Sequence, residues 1–80
     1  MKARVFVRLK PSILDPQGKT VQQAAQRMGY REVAAVRIGK LIELEVESDD
    51  PAAARVRIEE LSRKLLSNPQ LETFDVEWTE

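Results

Sequence analysis

The dipeptide Asp-Pro occurs twice, at Asp15-Pro16 and Asp50-Pro51, and each copy opens a stretch with helical spacing. A carboxylate just before a helix accepts its free N–H groups, and proline at the first helical position gives up a donor that has no partner there anyway. After the first, Val21, Ala24, Ala25 and Met28 form one apolar stripe, and Gly29 stands where a left-handed cap is wanted. After the second, Ala54, Ile58, Leu61 and Leu65 form another, running to Leu66 and closed by Asn68-Pro69. The spacing predicts helices over residues 16–28 and 51–66, with Gly18 weakening the first turn of the earlier one.

The segments around these helices alternate with a period of two. Ala3, Val5, Val7 and Leu9 share one face, Arg4, Phe6, Arg8 and Lys10 the other, and Pro11 ends the run. Residues 31–38 and 41–47 read as two strands around Gly39-Lys40, a pair that suits a two-residue hairpin turn with glycine first. Phe74, Val76 and Trp78 alternate with Asp75 and Glu77 as a last strand. The order β-α-β-β-α-β points to an α+β, ferredoxin-like split βαβ fold: one domain over residues 1–80, a four-stranded antiparallel sheet, both helices on one face. That architecture hosts many unrelated functions.

A two-residue turn at Gly39-Lys40 sets the faces of the sheet. It places Val36, Ile38 and Leu41 on the side without helices, together with Phe6 of the first strand, and sends Ile42, Leu44 and Val46 toward the helices. Phe6, Val36, Ile38 and Leu41 are therefore candidate self-association residues. In this strand order the first strand lies between the third and fourth, so Arg4 and Arg8 face Glu43, Glu45, Asp75 or Glu77 as a solvated, salt-bridged surface.

The inventory excludes much chemistry. Of 80 residues, 13 are basic and 13 acidic, and there is no Cys and no His. Disulfides, thiol nucleophiles, imidazole acid–base catalysis and Cys/His metal sites are ruled out. A balanced charge supplies no field that draws the chain to nucleic acid or anionic lipid. No apolar run reaches the length of a bilayer span, and no signal-peptide core is present, so a cytoplasmic protein is expected. Gly39-Lys40 lacks the flanking residues of a phosphate-binding loop. An RNA-binding sheet would display stacking aromatics where this chain has Phe6 alone and glutamates. Composition and spacing thus predict a small self-associating module with no catalytic, cofactor or metal site of its own.

The individual words of the sequence go further. Leu14-Asp15-Pro16-Gln17-Gly18, Gly29-Tyr30, Val36-Arg37-Ile38-Gly39-Lys40 with Ile42-Glu43-Leu44, Leu65-Leu66, Asn68-Pro69 and Leu71-Glu72 occur in this order. The ordered set closely resembles the PurS family, the small subunit of bacterial and archaeal phosphoribosylformylglycinamidine synthase. Ser62 and Ser67 depart mildly from it, standing where Cys and Ala are common. The resemblance implies a non-catalytic chain that forms dimers or dimers of dimers. It implies two partners: a synthetase subunit (PurL), which uses ATP and Mg, and a glutaminase subunit (PurQ), which releases ammonia from glutamine. The chain would bridge the two. The exposed residues that the fold leaves unexplained, Gln17, Tyr30, Arg37 and Lys40, are the candidate partner contacts. The alternative is an ACT-like, ligand-sensing dimeric module.

Overall fold

The computed structural model describes residues 1–79. Strand β1 (Lys2–Leu9) leads to helix α1 (Pro16–Arg27), strand β2 (Lys40–Glu45), helix α2 (Pro51–Leu61) with a π-helical turn at Ser62–Leu66, and strand β3 (Glu72–Trp78). The fold is α+β, with a three-stranded antiparallel sheet in the order β2-β1-β3. The first strand is central, as the sequence implied. Its alternation is satisfied on both sides: Val5 stands opposite Ile42 and Val76, Arg4 opposite Glu43 and Glu77.

Both helix starts form as expected. Asp15 accepts the Gly18 N–H at 2.8 Å and Asp50 accepts that of Ala53 at 3.2 Å, each followed by proline. Gly29 takes φ of 98°, the left-handed conformation that lets the chain leave α1.

The expected fourth strand is the main departure. Residues 31–38 belong to no ladder, and the Gly39-Lys40 hairpin does not form, because β2 pairs with β1 only. Competing partners hold this segment beside α1. Gln22 and Gln26 reach across with their amide Nε2 groups to the carbonyls of Ala34 (2.8 Å) and Val33 (3.1 Å). Asp15 takes the Ile38 N–H at 2.7 Å, and the Arg37 guanidinium donates to the Lys10 carbonyl at 2.9 Å. Among the described residues the sheet therefore has three strands, not the four of the expected ferredoxin-like layout.

The core is correspondingly thin. Ala3, Val5 and Val7 are buried on one face of the sheet, and Ala54 and Ser62 are the buried residues of the second helical segment. Ile58 and Leu61 are half-buried in the same stripe, and Arg55 lies 5.7 Å over the Trp78 ring. The π-helical turn breaks the stripe's phase. It brings Ser62 inward, with its hydroxyl donating to the Ile58 carbonyl at 2.8 Å, and turns Leu65 out to 72% exposure. The stripe of α1 is not covered either: Met28 is 73% exposed and Val21 is 46% exposed. Each helix buries a single residue, Gly18 in α1 and Ala54 in α2, so the expected layer of two helices on one face of the sheet is not reproduced. The protomer is flat and elongated, 52 × 26 × 14 Å.

Candidate functional site

The open face of the sheet carries the charged ladder expected of it. Arg4 lies between Glu43 and Glu77, with an Nη1–Oε1 distance of 3.9 Å to the latter, and Arg8 pairs with Asp75 at 3.0 Å. These are solvated pairs, each contributing at most about 1 kcal/mol.

At one end of this face the ladder gives way to a groove of about 640 Å3, walled by β1, the start of β2 and the segment before it. Phe6 and Leu41, directly opposite across β1 and β2, form its floor with Ile38. Arg8, Arg37 and Lys40 also line it, and among the described residues no acidic one does. Arg8 lies 5.8 Å over the Phe6 ring. Lys40 reaches Glu72 at 3.7 Å, whereas Arg37 pairs with no carboxylate among the described residues.

Ile38 also lines a second, shallower groove with Pro16, Gln17, Thr20 and Val21 at the start of α1. Ile38 is thus common to a groove on the sheet and a hollow at the start of α1. Two glycines allow close backbone approach on either side of it. A Cβ on Gly39 would stand 2.5 Å from the Val7 carbonyl oxygen, and one on Gly18 would overlap the carbonyl oxygen of Val36. The backbones at both places come closer than any side chain allows.

Asp15 joins the two sides. Its carboxylate accepts from Ile38 on one oxygen and Gly18 on the other, and these two bonds, aided by the nearby Arg37 charge, hold its pKa below the ordinary aspartate value. The cap was legible in the sequence; the second bond, across 23 residues, was not, because nothing local specifies it.

Six of the eight residues singled out from sequence line one or other of these two grooves: Phe6, Ile38, Leu41, Arg37 and Lys40 the first, and Gln17, with Ile38 again, the second. Two do not. Val36 is half-buried with its carbonyl over Gly18, and Tyr30 lies beyond the far end of α1, half-exposed, its N–H bonded to the Ala25 carbonyl. Arg8 and Pro11 line the groove without having been singled out; the register of Arg8 opposite Thr73, beside Phe6, was the available signal. Among the described residues no cluster of His, Cys, Asp or Glu is arranged to hold a metal, and no helix is long and apolar enough to cross a membrane.

Comparison with known proteins places the whole chain. Residues 2–80 match the family model described as PurS, phosphoribosylformylglycinamidine (FGAM) synthase. The phosphoribosylformylglycinamidine synthase subunit PurS of Bacillus subtilis is 46% identical over 76 residues, covering 95% of this chain and 89% of that protein. Its counterpart in Synechocystis is 43% identical over 76 residues, covering 95% and 76%. Among solved structures, B. subtilis PurS in its C2 crystal form superposes with a TM-score of 0.87 at 46% identity, over 99% of this chain and 98% of that one. A chain of the structure of PurLQS from Thermotoga maritima superposes with a TM-score of 0.86 at 29% identity, over 95% and 93%.

Proposed function

The chain belongs to the PurS family, the small subunit of FGAM synthase in purine biosynthesis, and from that premise we propose that it acts as a bridge within that complex. The observation that carries the reading is the match of nearly the full chain to a component of the PurLQS structure. In this role the chain joins a PurL-type synthetase subunit to a PurQ-type glutaminase subunit in the cytoplasm. ATP and Mg are used by the synthetase partner.

The physical case rests on ammonia. Near neutral pH it is mostly protonated, and ammonium is no nucleophile. Holding the glutaminase and synthetase sites in fixed register raises the local concentration of the reactive species and shortens its exposure to water. A chain without Cys or His contributes surface and geometry to that task rather than a proton or a nucleophile.

Self-association fits the uncovered apolar surface of the protomer. We assign it to the α1 stripe around Ala24 and Met28 with the adjoining Val36, because Met28 is largely exposed and the other two are only half-buried within the protomer. A second copy laid along residues 31–38 would also supply the ladder that this segment lacks, completing a fourth strand. Phe6, Ile38 and Leu41, together in the sheet groove, are the further candidates for self-association, and Gln17, Tyr30, Arg37 and Lys40 those for contact with the partner enzymes.

Reconstitution tests the bridge. Synthetase and glutaminase subunits are assayed with ATP and formylglycinamide ribonucleotide, with and without this chain, using glutamine or ammonium chloride as nitrogen source. The expected result is restoration of glutamine-dependent turnover with little change in the ammonia-dependent rate. No response of either activity, with no ternary complex on gel filtration, would overturn it.

A further inference from the structure

We propose that α1 and residues 29–38 form an arm that folds only against the same arm of a second copy, so that a lone protomer keeps its sheet and α2 while α1 melts. The inference rests on the self-association assigned above and not on the bridge. Burial is the first argument. The buried apolar side chains of the protomer are Ala3, Val5, Val7 and Ala54, none of them between β1 and β2. Over that whole stretch only Asp15 and Gly18 are buried, a capping carboxylate and a residue without a side chain. Helix α1 has 12 residues, and a helix of that length is marginal in water when its apolar side is left open. The bonds that hold residues 31–38 join the arm to itself: Gln22 to Ala34 and Gln26 to Val33, both in competition with water, and Asp15 to Ile38. Toward the sheet, Arg37 donates to the Lys10 carbonyl, again in solvent. A unit with so few buried contacts and such solvated bonds lies at the low end of local stability.

Surface area supplies the second argument and points to the occupant. The protomer exposes 6145 Å2, whereas a compact monomer of 9.1 kDa exposes about 4,900 Å2. Its radius of gyration is 16.2 Å, against about 12 Å for a globular chain of this length. The surplus surface, roughly 1,200 Å2 per copy, matches what an obligate homodimer buries. Residues 31–38 have no ladder, and two identical segments laid antiparallel about a two-fold axis satisfy one another. The same contact covers the uncharged stripe of Val21, Ala24, Ala25 and Met28 on the helix that Gln22 and Gln26 tie to that segment. Gln17, Tyr30 and Arg37, candidates for contact with the partner enzymes, all lie on this arm. The surface that carries them therefore exists in the paired form and not in the single chain.

Hydrogen exchange read by mass spectrometry, with sedimentation velocity to report the oligomeric state, tests this on the intact chain at high and low concentration and on Met28→Lys. Lysine is as good a helix former as methionine, so the substitution does not itself melt α1. In the paired form the amides of α1 and α2 are both expected to be protected. In the single chain, reached by dilution or by the substitution, those of residues 20–28 are expected to fall to within about tenfold of an unfolded peptide, while β1 and α2 keep their protection. Because α1 supplies 12 α-helical residues and α2 supplies 11, the α-helical circular dichroism is expected to drop by nearly half. A single chain whose α1 stays protected overturns the coupling and leaves self-association intact. Loss of protection in β1 and α2 together with α1 means that the whole protomer unfolds, and overturns the separate arm. A chain that is single at every concentration with α1 ordered overturns self-association, and the proposal with it. Persistence of the oligomer in Met28→Lys takes the stripe out of the interface and likewise overturns the proposal.

Discussion

The carboxylate of Asp15 accepts the backbone N–H of Ile38 at 2.7 Å while its other oxygen accepts that of Gly18 at 2.8 Å. One side chain thus caps a helix and pins an otherwise unladdered segment to it. Both bonds favour the ionised form, so the folded pKa lies below the unfolded one. Such a group stabilises the fold above the unfolded pKa of about 4, and that stabilisation disappears as pH falls through the folded value. Asp15→Asn is expected to lower the thermal midpoint at neutral pH, with the gap to the unaltered protein closing below about pH 4. Melting curves across pH 2–8 check it; a gap independent of pH would show that the charge is not involved.

Glycine substitutions separate two reasons for the residue. Alanine is the better helix former by about 1 kcal/mol. Gly18→Ala is nevertheless expected to destabilise, by roughly 1–3 kcal/mol, because its methyl group meets the backbone oxygen of Val36, which cannot rotate away. Gly29→Ala meets no atom and is limited to the strain of a positive φ, about 1 kcal/mol. Urea unfolding of both variants gives the order.

The open-face ion pair of Arg8 and Asp75 looks strong at 3.0 Å, but its side chains are 60% and 74% exposed. Water competes for both groups, and salt screens what remains. A double-mutant cycle through Arg8→Ala and Asp75→Ala is expected to give a coupling below about 1 kcal/mol that vanishes in molar salt.

Met28 makes so little contact in the protomer that Met28→Lys is expected to leave the monomer's own stability within about 0.5 kcal/mol. If α1 is covered by a second copy, the same change drives dissociation. Sedimentation velocity over a concentration series reads this directly; an unaltered oligomer would remove the α1 stripe from the self-association surface.

Ser62 is fully buried with its hydroxyl donating to the Ile58 carbonyl. Ser62→Ala is expected to cost about 1 kcal/mol through the lost bond, and Ser62→Leu more, because the site is closed by packing. Thermal unfolding of the two variants tests the order.

Local chemistry determined a good deal of this protein. Asp15-Pro16 and Asp50-Pro51 start helices wherever the chain places them, Gly29 ends one, and the alternation through Val5, Val7, Phe74 and Val76 makes strands with one buried face. These signals act over a few residues, so sequence carries them in full. That Phe6 and Leu41 share the open face was also legible from the period of two, but their direct pairing was not, because the hairpin expected at Gly39-Lys40 does not form. Tertiary structure decided where residues 31–38 go. By pattern they are a strand as good as residues 41–47, with the turn-forming pair Gly39-Lys40 between the two. In the fold Gln22, Gln26 and Asp15 bind the backbone of the segment in place of a neighbouring strand. Those bonds join residues far apart in sequence, so the competition is settled only when helix and segment meet in space. The exposure of Met28 follows from that same meeting, because helical spacing says which side chains share a face and not whether anything in the same chain covers it.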